Sequence, residues 1–486
     1  MATAAIVAAG IARQLIIYKN VPISEIGEYL FIATLVVFLQ PVITGNIKIY
    51  LISRAPELPP PAGLGLLKTV LFFEAGMGVV GAALLFLLLK TGLPIARWVN
   101  TLSDVRLLYW VFLIVAASGV FSHLQRFLSY TLHISTSNVV EVASAALYVA
   151  MLAFSFFVLQ ARGVAAILAC WVISTAIPFF VMMGILARRF WAADPASKEH
   201  LVAGLRYSVP ALSSEYGQTI VGYFDRLAVG HYMTAASLGI YGFIYNILNM
   251  AQVASRSVLD SLFGSYFLYA MKRGREDTAR TIMDVYVRWS VLAGLSVLAF
   301  FAFYGRHFIL LVGKPEMMPA FPYFFLLWPV FILNILIPVL SVYLNYISED
   351  RMKLVRANAI VIPASIVIYI VAISQFRLVG ACVASVATAV ASYVAMAWQT
   401  REWHMSPLSF VFTWPCAGTF LAAFAAGKIF SLGLLRLPGD FLPVLCGGLV
   451  TVATCLAAAY LVKYVSYDDK AKLKAVNDMR MQTEGA

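Results

Sequence analysis

The chain has 486 residues, of which 62% are hydrophobic and only 12% are charged, with a mean hydropathy of +0.87. A water-soluble protein of this composition would expose large apolar patches and aggregate, whereas a bilayer can solvate such a surface. The composition therefore excludes a soluble globular protein and predicts an all-α polytopic membrane protein. One helix and its loop use roughly 35 residues, so the length predicts about fourteen transmembrane helices.

The net charge of +12 is typical of a membrane protein whose short cytoplasmic loops are rich in Lys and Arg, and we expect no nucleic-acid partner. The five cysteines and six histidines show no metal-ligand or Cys-x-x-Cys spacing. We find no phosphate-binding glycine loop and no catalytic triad pattern. We therefore expect no enzyme activity, no metal and no cofactor.

Apolar runs bounded by charges or by Gly and Pro predict the helices in chain order. Six are expected at about 2–18, 27–50, 64–89, 106–128, 138–160 and 164–187. Six more follow at about 206–230, 236–265, 284–304, 321–347, 354–374 and 378–398, and two at about 408–430 and 440–463. The predicted domains are an N-lobe (1–187), an inter-lobe loop (188–205), a C-lobe (206–398), two trailing helices (408–463) and a tail (466–486).

The distribution of basic residues predicts the orientation. If the N-terminus is cytoplasmic, most of the 35 Lys and Arg residues lie in cytoplasmic loops or flanks, as the positive-inside rule requires. Both termini, the inter-lobe loop and the polar tail are then cytoplasmic. The basic loop 271–280 is expected to contact anionic lipid, with docking of a glycosyltransferase or polymerase partner as an alternative.

A short motif occurs twice, at equivalent places in the two predicted six-helix halves. "GEYLFI" (27–32) and "GIYGFI" (239–244) both start the second helix of their half. Arg13 precedes the first copy by 14 residues, and Arg226 precedes the second by 13. Because each half has an even number of helices, both halves insert with the same orientation. The sequence therefore predicts parallel repeats about a pseudo-two-fold axis normal to the membrane, with a central cavity between two lobes.

The second copy lies in "YFDRLAVGHYMTAASLGIYGFIYNILNMAQV" (223–253), and the first in "IARQLIIYKNVPISEIGEYLF" (11–31). The Asp-Arg pair followed by Leu-Gly-x-Tyr resembles the signature of the polysaccharide transporter family. These are Wzx-type flippases of the multidrug/oligosaccharidyl-lipid/polysaccharide exporter superfamily. The helix count, the division into six and six, and the two trailing helices fit this resemblance over the whole chain.

The resemblance implies a flippase that moves an undecaprenyl-diphosphate-linked oligosaccharide across a bacterial inner membrane by alternating access. Its product would serve O-antigen, capsule or exopolysaccharide synthesis, and such a two-lobe transporter can work as a monomer. One alternative is a cation-coupled small-molecule or drug extruder of the same superfamily. Another is a membrane polysaccharide polymerase or glycosyltransferase, although no external loop is long enough to hold its catalytic groups.

Two embedded arginines are the first candidates for substrate binding. An ionisable group within a span costs roughly 2.5–3.5 kcal/mol on insertion scales, so it normally faces a cavity or a partner. Arg13 and Arg226 lie at similar predicted depths, one in each half, and an arginine binds a diphosphate through paired charge-assisted hydrogen bonds. The alternative is that both extend to the membrane surface, or that Arg226 pairs locally with Asp225.

A polar stripe on the eighth predicted helix is the second candidate for lining the cavity. Its members recur every three or four residues and share one helix face. They are Asn246, Asn249, Gln252, Arg256 and Asp260. Arg256 and Asp260 could form an ion pair, and the alternative for the whole stripe is a structural contact between helices.

Three embedded carboxylates are candidates for ion coupling, since a buried carboxyl group can carry a proton during transport. They are Glu74, Glu141 and Glu215, on the third, fifth and seventh predicted helices. The alternative for each is a neutral carboxyl group hydrogen-bonded to a neighbouring helix.

Overall fold

The structure is a computed structural model. It describes residues 2–45, 47, 50–51, 54, 58–90, 101–131, 134–262, 267, 270–271, 274–346, 352–401, 414–434 and 440–461. The predicted tail and most of the segment before the last two helices lie outside these ranges.

The described ranges contain thirteen α-helices and no strand. The first seven are α1 Ala2–Asn20, α2 Ile23–Thr44, α3 Pro60–Lys90, α4 Leu108–Thr131, α5 Ile134–Ala153, α6 Val164–Ala192 and α7 Lys198–Tyr232. The others are α8 Ala235–Leu262, α9 Glu276–Val312, α10 Phe321–Tyr346, α11 Met352–Gln399, α12 Trp414–Leu434 and α13 Phe441–Leu461.

Helix α11 is two helices joined by a break in the backbone. Arg377 has φ 53° and ψ −129°, which is not helical. Gly380 follows the break, and a Cβ there would lie closer than 3.0 Å to the carbonyl of Ala372, so only glycine fits this tight return. Counting its two parts separately gives fourteen helical segments in the described ranges, at the positions that the apolar runs predict.

Nine helices in the described ranges are long and apolar enough to cross a membrane. Many large apolar side chains on them are exposed, such as Ile185 at 76% and Val79 at 70%, which suits contact with lipid rather than water. The predicted class of an all-α polytopic membrane protein is confirmed.

The connection between the two predicted lobes is shorter than the segment 188–205 that hydropathy assigns to it. Helix α6 continues to Ala192, and α7 already begins at Lys198. Ser197 caps α7, since its hydroxyl accepts hydrogen bonds from the backbone N–H groups of Glu199 and His200 at 3.2 and 3.4 Å. The predicted loop is therefore wrong in length, because charged residues end an apolar run without ending the helix.

The chain forms two compact units. One comprises residues 1–242 and 362–381, and the other comprises 243–361 and 382–486. The first unit contains the N-terminal ends of α2 and α8, where the two copies of the motif begin. The division into lobes at 187 and 206 stays a prediction.

Within the first unit, the two motif glycines make reciprocal contacts between α2 and α8. A Cβ on Gly27 would lie closer than 3.0 Å to the backbone carbonyl of Ala235, and a Cβ on Gly239 would do the same to the carbonyl of Ile23. Each glycine thus faces the residue four positions before the other glycine. This is a close helix crossing of the kind that small residues permit in membranes, and it explains why both copies begin with glycine.

Candidate functional site

Arg13 lies on α1 among buried aromatic side chains of the first unit. Its guanidinium carbon is 5.4 Å from the centre of the Tyr148 ring, a cation–π contact. The buried side chains of Tyr18 and Tyr29 also lie near it. Its Nε is buried without a hydrogen-bond acceptor, and no carboxylate among the described residues forms an ion pair with it. Within the part of the chain that the structure describes, the Arg13 cation therefore has no anionic partner.

The second copy of the motif is joined to α7 through its tyrosine. The Asp225 side chain is 1% exposed and accepts hydrogen bonds from the Tyr241 hydroxyl at 2.5 Å and from the backbone N–H of Arg226 at 2.8 Å. The Arg226 guanidinium carbon lies 4.6 Å from the centre of the Tyr223 ring. Asp225 therefore links α7 to α8, and the Asp-Arg and Gly-x-Tyr parts of the motif are in contact.

The reciprocal glycine contacts also fix how the two repeats correspond. If Gly27 is equivalent to Gly239, then Arg13 is equivalent to Asp225, and Gln14 to Arg226. The spacing in the sequence treats Arg13 and Arg226 as equivalent, and this alignment of the two repeats is shifted by one residue. Equivalent positions carry opposite charges, a cation over tyrosine in one repeat and a carboxylate bonded to tyrosine in the other. Their assignment to a substrate cavity stays a prediction.

The polar stripe on α8 contacts α10 in the second unit. Gln252 Nε2 donates to the backbone carbonyl of Asn334 at 3.2 Å. Asn249, Gln252 and Asn334 line a void of about 10 Å³, roughly enough for one water molecule. These contacts agree with the alternative interpretation of the stripe, a structural contact between helices.

Three predicted site residues have side chains outside the described part of the chain. They are Arg256 and Asp260 on α8 and Glu215 on α7. The ion pair expected between Arg256 and Asp260 therefore stays a prediction, as does a role for Glu215 in ion coupling.

Glu74 on α3 lies against a histidine of α4. Its Oε2 is 3.1 Å from Nδ1 of His123, and both side chains are 1% exposed. The same His123 nitrogen lies 2.7 Å from the carbonyl oxygen of Gly119. The carboxyl group fills the space beside Gly119, where a Cβ would lie closer than 3.0 Å to its Oε1. This is a buried acid–base pair inside a helix pair.

Glu141 on α5 has a different environment. Its side chain is partly buried and accepts a hydrogen bond from Gln125 Nε2 on α4 at 2.9 Å, which agrees with a structural role. Among the described residues, no group of three or more His, Cys, Asp or Glu side chains is arranged to hold a metal ion.

Sequence reasoning did not find His123 as the partner of Glu74, nor Tyr241 as the partner of Asp225. Tyr241 could have been found, since it is part of the repeated motif and the hairpin between α7 and α8 is short. His123 gave no such signal, because it is a single histidine in an apolar run on the next helix.

Comparison with solved structures shows a fold shared with a lipid II flippase and with MATE family transporters. The lipid II flippase MurJ, in an inward closed conformation, matches with a TM-score of 0.71 and 12% identity, covering 94% of this chain and 96% of that protein. A multidrug resistance MATE family transporter in an inward-facing conformation matches with a TM-score of 0.64 and 13% identity. That match covers 84% of this chain and 95% of the transporter.

A MOP superfamily transporter from Pyrococcus furiosus, described as having a binding pocket of reverse polarity, matches with a TM-score of 0.55 and 12% identity. It covers 85% of this chain and 94% of that protein. No protein-family model and no curated protein sequence matches the chain. At these identities the likeness establishes the fold.

Proposed function

We propose that the protein is a flippase for undecaprenyl-diphosphate-linked oligosaccharide repeat units. It moves them from the cytoplasmic to the periplasmic leaflet of a bacterial inner membrane by alternating access, for O-antigen, capsule or exopolysaccharide synthesis. Both termini are cytoplasmic in this proposal, and the polyprenyl tail stays in the bilayer while the polar part crosses. The fold shared with the lipid II flippase MurJ over 94% of the chain supports a transporter.

The observation that carries the proposal is the environment of Arg13. A cation whose Nε is buried beside a tyrosine ring, with no carboxylate partner among the described residues, destabilises the empty protein. Such a group is retained where an incoming anion offsets the cost. A diphosphate fits this requirement, since its oxygens accept paired hydrogen bonds from one guanidinium.

The proposal is tested by deleting the gene in its host and analysing the lipid carriers. We expect undecaprenyl-diphosphate-linked repeat units to accumulate on the cytoplasmic leaflet while the surface polysaccharide is lost, with both defects reversed by the intact gene. Normal export of the polysaccharide in the deletion strain would contradict the proposal. Sensitivity of that strain to small cations or drugs, with normal polysaccharide, would favour the extruder instead.

The extruder is the second candidate, and the buried carboxyl group of Glu74 is the observation that favours it. A carboxylate held within a transporter bundle can bind a proton or a cation during the transport cycle. The same group also serves a flippase driven by an ion gradient, so the two candidates are separated by their cargo.

For ion coupling we propose the pair of Glu74 and His123. A buried pair 3.1 Å apart is neutral overall when it holds one proton, and losing or gaining a proton leaves a net buried charge. Exchange of that proton is therefore favoured only when water reaches the pair. Glu74→Gln is expected to abolish the dependence of transport on a pH gradient, measured with purified protein in liposomes.

Glu141→Gln is the matched control for this prediction. It makes the same change from carboxyl to amide on α5, and the new amide can still accept the hydrogen bond from Gln125. We expect its pH-gradient dependence to equal that of the unmodified protein. Retention of full dependence by Glu74→Gln would rule out the pair as the coupling site.

A further inference from the structure

A pocket of about 830 Å³ lies within the first unit, where the chain after α2 meets the start of α7. Its size is in the range of pockets that hold small organic ligands. The lining residues are Tyr50, Arg54, Lys198, Glu199, Val202, Ala203, Arg206 and Tyr207. Three of them are basic and one is acidic, so the lining has a surplus of two positive charges at neutral pH.

The chain builds this pocket by a close helix approach. Gly204 on α7 packs against Ile47 and Tyr50, since a Cβ there would lie 3.2 Å from both side chains. The rings of Tyr50 and Tyr207 are then 5.7 Å apart at 57°. Arg54 and Arg206 belong to the same lining. The pocket wall therefore combines the apolar faces of two aromatic rings with two guanidinium groups.

The chemistry of this lining selects an anion attached to a less polar group. One guanidinium group can donate two parallel hydrogen bonds to phosphate oxygens. The first turn of α7 adds the positive end of a helix dipole. Tyrosine rings, apolar in body with a polar hydroxyl, suit a site at the membrane–water boundary. Basic pockets between helices on the cytoplasmic side of a membrane bind phosphorylated headgroups.

We infer that this pocket is a binding site for the phosphate headgroup of a membrane lipid. By the charge distribution of the sequence, it lies on the face that we propose to be cytoplasmic. Two lipids share the chemistry, the polyprenyl phosphate carrier and an anionic phospholipid. The inference concerns headgroup binding alone and is measured without transport, so it can fail or stand independently of the flippase proposal.

The test uses the whole protein purified in a neutral detergent and measures bound lipid by native mass spectrometry. The probes are undecaprenyl phosphate, phosphatidylglycerol and phosphatidylcholine, with inorganic phosphate as competitor. The double variant Arg54→Gln with Arg206→Gln is expected to bind undecaprenyl phosphate about tenfold more weakly, which corresponds to about 1.4 kcal/mol. Phosphatidylcholine binding is expected to stay unchanged.

The matched control is Arg188→Gln with Arg189→Gln. These two exposed arginines lie near the end of α6 and outside the pocket lining, so the control changes the net charge equally. We expect its binding to stay within twofold of the unmodified protein. The single variant Lys198→Gln, at an exposed helix start, gives a second measurement if the double variant is poorly folded, with an expected loss of about threefold.

The outcomes separate the two lipid sources. If the pocket variant loses binding of undecaprenyl phosphate alone, the site receives the carrier. If it loses binding of phosphatidylglycerol to the same extent, the site holds a resident phospholipid headgroup. Displacement by inorganic phosphate supports recognition of the phosphate itself. Unchanged binding in the pocket variants, or an equal loss in the Arg188 and Arg189 control, would overturn the inference.

Discussion

Replacing Arg13 with glutamine is expected to reduce polysaccharide export at least tenfold while leaving the thermal stability of the protein equal or higher. Export falls because a hydrogen bond to a charged group contributes about 1.5–3 kcal/mol, and the substituted amide cannot supply the positive charge. Stability does not fall because the guanidinium has a buried Nε without a hydrogen-bond acceptor and no carboxylate partner in the described residues. A fall in export without a fall in thermal stability distinguishes an arginine that binds substrate from one that holds the fold together.

Export is measured as surface polysaccharide in the deletion strain that carries each variant at matched protein levels. Stability is measured by the thermal midpoint of the purified protein. Lys19→Gln is the control, since Lys19 is an exposed basic residue in the last turn of the same helix, and it should leave export unchanged. A drop in thermal midpoint for Arg13→Gln, together with normal export, would assign Arg13 a structural role.

Replacing Gly27 with alanine is expected to destabilise the protein strongly. The added methyl group would overlap the backbone carbonyl of Ala235, and a backbone atom cannot move aside as a flexible side chain can. Overpacking typically costs 1–3 kcal/mol, and we expect about 3 kcal/mol here because α2 and α8 must separate. The thermal midpoint, followed by tryptophan fluorescence in detergent, should fall by several degrees.

Gly239→Ala is expected to give a similar fall, since its methyl group would overlap the carbonyl of Ile23. Gly10→Ala is the control, because no atom of the described residues beyond its own stretch of α1 lies within 4 Å of the position that its Cβ would take. That change should raise stability slightly, since alanine favours helix by about 1 kcal/mol over glycine. If Gly27→Ala is as stable as the control, the close crossing does not hold the two helices together.

The helix positions could be predicted well from the sequence because a bilayer leaves few solutions. A backbone in hydrocarbon must satisfy its hydrogen bonds within each segment, so every long apolar run becomes a helix. The two halves of α11 show this, since the predicted boundary at 374–378 coincides with the break at Arg377. Helix ends were less predictable, as at Ala192 and Lys198, because helical hydrogen bonding continues beyond the apolar core.

The site could be predicted only in part. The repeated motif and its arginines were found from the sequence, but spacing alone could not decide whether Arg13 corresponds to Asp225 or to Arg226. The contacts of Gly27 and Gly239 decide it. The partner of Glu74 was not predictable, because nothing in the sequence indicates which face of α4 turns towards α3.

The sequence by itself determined the membrane class, the order of the helices in the described ranges and the presence of two related motifs. Each of these follows from local composition and from the requirement that backbone groups be satisfied in lipid. The tertiary structure alone decided which side chains meet, such as Tyr241 with Asp225, Tyr148 with Arg13 and His123 with Glu74. Those contacts depend on how each helix is rotated and on where small residues allow close approach, and packing between helices sets both.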